Sequence, residues 1–186
     1  MEKDLQSMGR LSNGKVAIMI IIASESVFFA TLIIAYIALR GQNAWPVEHT
    51  LKRLAIPLGN TTILLLSALA AWRAELGIRS GKAAALREWL LGTLLLGGLF
   101  VLGQIFEFSH AGFRIDGEIV GGVFLALMGF HALHVLAGMV MLAINEVRTR
   151  LGDFSAGRHD GITVGTWFWY YVCFVWLVLF TALYLL

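Results

Sequence analysis

Glu25 is the one acidic or basic residue between Lys15 and Arg40, and it stands about nine residues into the apolar run Val16–Leu39. A charge at the centre of a bilayer-spanning helix raises the free energy by at least ~2.5 kcal/mol, so an ionisable group there is by default a functional-site candidate. Glu25 therefore either carries or shares a proton, or is a satisfied polar group bonded to a neighbouring segment. His131 and His134 lie on one helix face at i and i+3. A metal would need one or two further donors at the same depth, and a haem pair would normally come from two helices. Neither arrangement is visible. His134 lies about eleven residues from the end of its span, close to the depth of Glu25, so an interhelical Glu25–His134 hydrogen bond is available. Gln104, Glu107 and His110 form a ladder at i, i+3 and i+6 that climbs to one membrane face, where it reaches headgroups and water or a specific partner.

These side chains need elements that hold them at depth. Of the 186 residues, 59% are hydrophobic and 14% charged, against roughly a quarter charged in a soluble domain. A soluble domain is thereby excluded. The net charge of +2 and the absence of a basic cluster leave no footprint for nucleic acid. Cys173 is the single cysteine, so neither an internal disulfide nor a four-cysteine zinc site can form. Five stretches are long enough to cross a hydrocarbon core of about 30 Å: Val16–Leu39, Leu54–Trp72, Leu86–His110, Ile119–Asn145 and Ile162–Leu186. Without period-2 alternation they read as helices, and the predicted fold is all-α, a five-helix membrane bundle.

Residues 1–15 form a short segment ahead of a single membrane domain, 16–186. The run that follows them is too long for a signal peptide and is read as retained. The connections are short and Gly-containing, with Pro46 and Pro57 in or beside the first. No internal repeat is evident, and an odd number of spans fits poorly with an inverted-repeat transporter. Ten basic residues lie on the side of the N-terminus (Lys3, Arg10, Lys15, Arg73, Arg79, Lys82, Arg87, Arg148, Arg150, Arg158) and four on the other (Arg40, Lys52, Arg53, Arg114). This bias predicts a cytoplasmic N-terminus and an exterior C-terminus. The last span holds Trp167, Phe168, Trp169, Tyr170, Tyr171, Phe174 and Trp176. An interfacial belt explains most of these aromatics, but the run goes deeper than a belt needs and predicts a face packed on another helix or on acyl chains. Gly97, Gly98, Gly103, Gly121 and Gly122 would permit close helix approach.

Ser24-Glu25-Ser26-Val27-Phe28-Phe29-Ala30 resembles the Ser-Glu-x-x-Phe-Phe-Ala motif of subunit III of the haem-copper terminal oxidases, in its five-helix bacterial form. Asn60-Thr61 followed by Leu65, Ser67 and Trp72 is similar to that family's Asn-Thr…Leu…Ser…Trp. Gln104, Glu107 and Phe108 match its Gln-x-x-Glu-Tyr with Phe for Tyr. Phe130-His131-Ala132-Leu133-His134-Val135, then Gly138, resembles Phe-His-Gly-Leu-His-Val…Gly, the most specific match. The run from Trp167 to Leu177 is similar to Trp-Tyr-Trp-His-Phe-Val-Asp-Val-Val-Trp-Leu, with Tyr170 in place of His and Cys173 in place of Asp.

The resemblance covers about residues 16–186. It implies an accessory subunit in a bacterial plasma membrane, with no catalytic residue, metal site or redox cofactor of its own. Haem and copper are expected in partner subunits. The implied partners are catalytic subunit I, which reduces oxygen to water and pumps protons, the other oxidase subunits, and phospholipids. The role implied is support of that subunit's stability, lipid environment and proton uptake. Two helices and three helices are expected to flank a lipid-filled cleft, with Glu25, Glu107, His131 and His134 as lipid-binding or buried polar groups. Asn60, Trp72 and Trp176 are expected in helix packing. Two other readings stand beside this one: a related small subunit of a nitric oxide reductase or quinol oxidase, and a self-contained proton or solute transporter with Glu25 and His134 as its relay.

Overall fold

A computed structural model describes residues 12–42, 51–110 and 119–185. Most of the 1–15 segment, Pro46 and Arg114 lie outside the described residues, as do the side chains of Lys52, Arg53 and His110. The chain forms α1 (Asn13–Gln42), α2 (Leu51–Arg79), α3 (Ala83–His110), α4 (Ile119–Arg150) and α5 (Asp160–Phe180), and α5 runs into one π-helical turn, Thr181–Leu185. Each helix answers to one expected span, and all five are long and apolar enough to cross a membrane.

The helices outrun the apolar stretches, most of all at the end where α2 and α4 stop. Hydropathy marks only the hydrocarbon layer, whereas the backbone ladder continues wherever side chains support it. Here Glu75–Arg79 and Glu146–Arg150, each at i,i+4, carry α2 past Trp72 and α4 past Asn145. At the other end α2 begins at Leu51, three residues before the expected span, with Pro57 inside the helix. Both helices stop at a glycine in the left-handed region, Gly81 (φ 71°) and Gly152 (φ 77°). Lys82 N–H donates to the Gly77 carbonyl and Gly81 N–H to that of Ile78, and Asp153 and Gly152 repeat the pattern on Arg148 and Thr149. These paired bonds close the helix ends, and a residue with a Cβ would strain the backbone there.

Helix α5 is the hub: it packs on α1, α2 and α4, while α3 packs on α2 and α4, and α1 on α4. Lys15 of α1 reaches Asp160 of α5 at 2.6 Å, and Arg40 at the far end of α1 donates to the Ala182 carbonyl at 3.4 Å. The two contacts fix which ends share a membrane face. The helices do sort into a pair, α2 and α3, and a trio, α1, α4 and α5. Among the described residues, however, the two groups are packed together rather than parted by a cleft, because one core of buried side chains runs through all five helices. Trp169, fully buried on α5, explains the closure. Its ring fills the space over Gly97 of α3 and Gly138 of α4, where added Cβ atoms would lie 2.8 and 2.9 Å from it.

Candidate functional site

Three polar contacts set the register of α5 against α2. Trp169 Nε1 donates to Ser67 Oγ at 3.1 Å, Cys173 Sγ faces the Leu64 carbonyl at 4.0 Å, and Trp176 Nε1 donates to Thr61 Oγ1 at 3.0 Å. The order 61, 64, 67 meets 176, 173, 169, as two antiparallel helices require. Thr61 in turn donates to the Pro57 carbonyl at 2.8 Å, so each buried indole N–H has an acceptor. Trp169 and Trp176, the deep indoles of the last span, are thus packing residues against α2 rather than belt residues. Beside them Asn60, also buried, lies flat on α3 at Gly103, where a Cβ would collide with its Oδ1.

With α5 fixed, α1 and α4 lie on its other side and bring Glu25 to His134. Glu25 Oε2 is 3.2 Å from His134 Nε2, and His134 Nδ1 is 2.7 Å from the Phe130 carbonyl. A carbonyl only accepts, so Nδ1 must carry a hydrogen and donate it. A hydrogen bond across the 3.2 Å gap then requires one hydrogen, supplied by a carboxylic acid donating to imidazole or by an imidazolium donating to carboxylate. In either form the pair has no net charge, which suits a low-dielectric site. The His134 ring is held edge-on by Phe29 at 5.1 Å and stacks on Phe168 at 6.2 Å. The pair is not sealed in: an open groove of about 330 Å³, lined by Ser24, Glu25, Phe28, Phe130 and His134, leads from it to the bundle surface. Phe28 and Phe130 meet edge to face at 4.9 Å at its rim.

His131, one turn away on α4, does not join this pair. It is 2% exposed, stacks on Trp176 at 5.3 Å and is edged by Phe100 at 6.4 Å. Neither ring nitrogen has a hydrogen-bond partner among the described residues. Glu107 is likewise distant from the groove. Its Oε1 accepts from Tyr184 Oη at 2.7 Å and its Oε2 from Gln104 at 3.4 Å, so it ties α3 to the π-helical turn rather than reaching for headgroups. Trp72, expected in helix packing, is 48% exposed and turns its ring outward. As an amphipathic ring near the membrane face it gains more from the interface than from the core.

Two buried carboxylates escaped the sequence reading, because both fall where hydropathy places connections. Glu75 receives Arg79 at 2.6 Å and Thr166 Oγ1 at 3.3 Å, joining α2 to α5. Glu146 receives Arg150 at 2.9 Å and Arg87 at 3.6 Å, joining α4 to α3. The spacing Glu-x-x-x-Arg was the signal available for each. No group of three or more His, Cys, Asp or Glu side chains among the described residues converges on a point that could hold a metal ion.

Residues 9–186 match the family model described as cytochrome c oxidase subunit III. A cytochrome c oxidase subunit 3 of Thermostichus vulcanus is 32% identical over 171 residues, covering 91% of this chain and 85% of the relative. A probable cytochrome c oxidase subunit 3 of Nocardia farcinica is 31% identical over 185 residues, 97% of this chain and 91% of the relative. The cytochrome c oxidase subunit 3 of Heterololigo bleekeri is 37% identical over 143 residues, which are 76% of this chain and 55% of that longer relative.

Proposed function

Since the chain belongs to the cytochrome c oxidase subunit III family and is an accessory, multi-pass membrane subunit of an oxidase complex, we propose that it docks on the catalytic subunit I and maintains that subunit's lipid surroundings and durability. Members of this family carry no redox cofactor, so oxygen reduction and its haem and copper belong to the partner. The matches lend no weight to a nitric oxide reductase subunit or a self-contained transporter.

The observation that carries the proposal is the Glu25–His134 pair at the head of an open groove. A neutral, proton-sharing pair can face acyl chains without a counter-ion, and the Phe28 and Phe130 rims offer those chains apolar walls. In this reading the Glu25–His134 pair holds α1 to α4 and Glu107 holds α3 to the C-terminal turn, while His131 is a buried polar group packed among aromatic rings. The single membrane domain spans 16–186, and the excess of basic residues puts the N-terminus in the cytoplasm of a bacterial cell.

Glu25→Gln and Glu25→Ala in the assembled oxidase test this role. Gln can still donate to His134 Nε2, so its complex should assemble, keep its phospholipid and turn over durably. Ala should leave initial oxygen reduction near normal while lipid content falls and activity decays sooner during turnover. Loss of initial oxygen reduction in a fully haem-loaded Glu25→Gln complex would contradict the accessory role assigned to Glu25.

A further inference from the structure

At the membrane face where α2 and α4 end and α3 and α5 begin, five of the eight cations among the described residues are neutralised by carboxylates of the chain. Arg79 pairs with Glu75, Arg87 and Arg150 with Glu146, Arg148 with Asp153, and Lys15 with Asp160. Arg73 differs from these five. Among the described residues no carboxylate lies within ion-pair distance of it and no group accepts its hydrogens; Glu88, next to Trp89 on α3, does not reach it. Its Cζ lies 5.6 Å from the centre of the Trp72 ring and 6.0 Å from that of Trp89, so two helices hold one guanidinium between two indoles. Those indoles are 48% and 42% exposed, and neither N–H has an acceptor among the described residues. The cluster therefore presents hydrogen-bond donors and positive charge, and nothing that accepts.

Its depth is informative. Trp72 lies seven residues before the end of α2 at Arg79, roughly 10 Å along the axis, and Trp89 six residues after the start of α3 at Ala83, roughly 9 Å. The paired Glu75 and Arg79 occupy the layer above, nearer the turn, which puts Arg73 at the boundary between headgroups and hydrocarbon. On the same face of α2, one and two turns deeper, Leu69 and Leu66 are 57% and 48% exposed. The surface thus runs from a cation to aromatic walls to an apolar strip, in the order of a phospholipid's own parts.

We propose that Arg73, Trp72 and Trp89 form a headgroup site for an anionic phospholipid. The guanidinium takes the phosphodiester oxygens in a fork, the indoles flank the glycerol, and an acyl chain lies along Leu69 and Leu66. The apolar strip below the cation is what favours a lipid over an acidic segment of another subunit, which would leave that strip unmatched.

The test uses the intact oxidase in phosphatidylcholine nanodiscs carrying a minor fraction of phosphatidylglycerol, with retained lipid counted by native mass spectrometry after mild delipidation. Haem absorbance and subunit stoichiometry verify assembly of each variant. The unaltered complex should retain phosphatidylglycerol over phosphatidylcholine, and Arg73→Gln should weaken that preference roughly fivefold. Arg73→Lys should keep most of the charge-dependent part, and Lys82→Gln should change nothing. A photoreactive phosphatidylglycerol should label the α2–α3 hairpin, and less so when Trp72 and Trp89 are both leucine. Equal retention by Arg73→Gln would overturn the proposal. So would displacement of the lipid by millimolar inorganic phosphate, which would mean a free-anion site, or a cross-link from position 73 to an acidic residue of another subunit with lipid retention unaltered.

Discussion

A carboxyl group beside hydrocarbon is tolerable only when its charge is matched or absent, and His134 achieves this for Glu25 because Phe130 fixes the imidazole's other nitrogen as a donor. The two histidines of α4 are consequently unequal. His134→Phe would strand the Glu25 carboxyl and should destabilise the subunit by about 1–3 kcal/mol. His131→Phe removes no hydrogen bond to a described residue and keeps a ring on Trp176, so it should be close to neutral. Thermal dissociation of the subunit from the complex in detergent measures both, and equal losses would contradict the distinction. The Glu25–His134 pairing was legible in the sequence because both residues are polar intrusions at matching depth in long apolar runs. The separate fates of His131 and His134 were not, since a three-residue offset turns the two rings about 60° apart, far enough for one to face the groove and the other the core. Glu75 and Glu146 were hidden for a different reason: hydropathy assigns charged residues near a span's end to connections, whereas here arginines one turn on keep both carboxylates inside.

Close approach between helices is decided by which glycines face an indole or an amide. Gly97 meets Trp169 and Gly103 meets Asn60, while a Cβ on Gly98 would have only Met139 Cε at 3.9 Å and one on Gly121 nothing within 4 Å. Gly97→Ala and Gly103→Ala should each lower stability by about 1–3 kcal/mol through overpacking. Gly98→Ala and Gly121→Ala should leave it unchanged or raise it by up to about 1 kcal/mol through helix propensity. Heat-induced loss of the subunit, read across the four variants, checks the division; a uniform effect would mean that propensity, not fit, governs these helices. In α5, Trp169→Phe deletes the donor to Ser67 and opens space over two glycines, so it should be more damaging than Phe174→Leu, whose 63% exposed ring faces outward. Helix number and order were readable from five apolar runs. The sequence could not separate Gly97 from Gly98, because both sit in the same apolar run and only the crossing of α5 tells which of them faces Trp169.

Over the described residues the molecule is five helices long and apolar enough to span a membrane, with ends sorted by ion pairs and a continuous core around α5. Burial is uneven: 61% of the most apolar window of α5 is inside, against 11% for α1. The outer helices therefore leave wide apolar surface for lipid or for another subunit. The basic-residue bias predicts that a reporter fused after Leu186 is active on the exterior side and one fused before Met1 in the cytoplasm; the reverse pattern would invert every statement about which leaflet a site faces. The expected two-plus-three division was legible as a grouping but not as a cleft, because the wedge that closes it, Trp169 over Gly97 and Gly138, joins residues far apart in sequence. As an accessory subunit, this chain leaves all the redox centres to its partner. Purification from native membranes through a tag on this chain, followed by an optical spectrum, metal analysis and mass spectrometry before and after the subunit is stripped off, tests this most directly. A haem- and copper-containing catalytic subunit is expected in the purified complex, with every haem and copper retained by the remainder, initial oxygen reduction persisting, and none in the released chain. A tagged chain that purifies alone and transports protons by itself, or one that carries stoichiometric haem or copper when released, would contradict it.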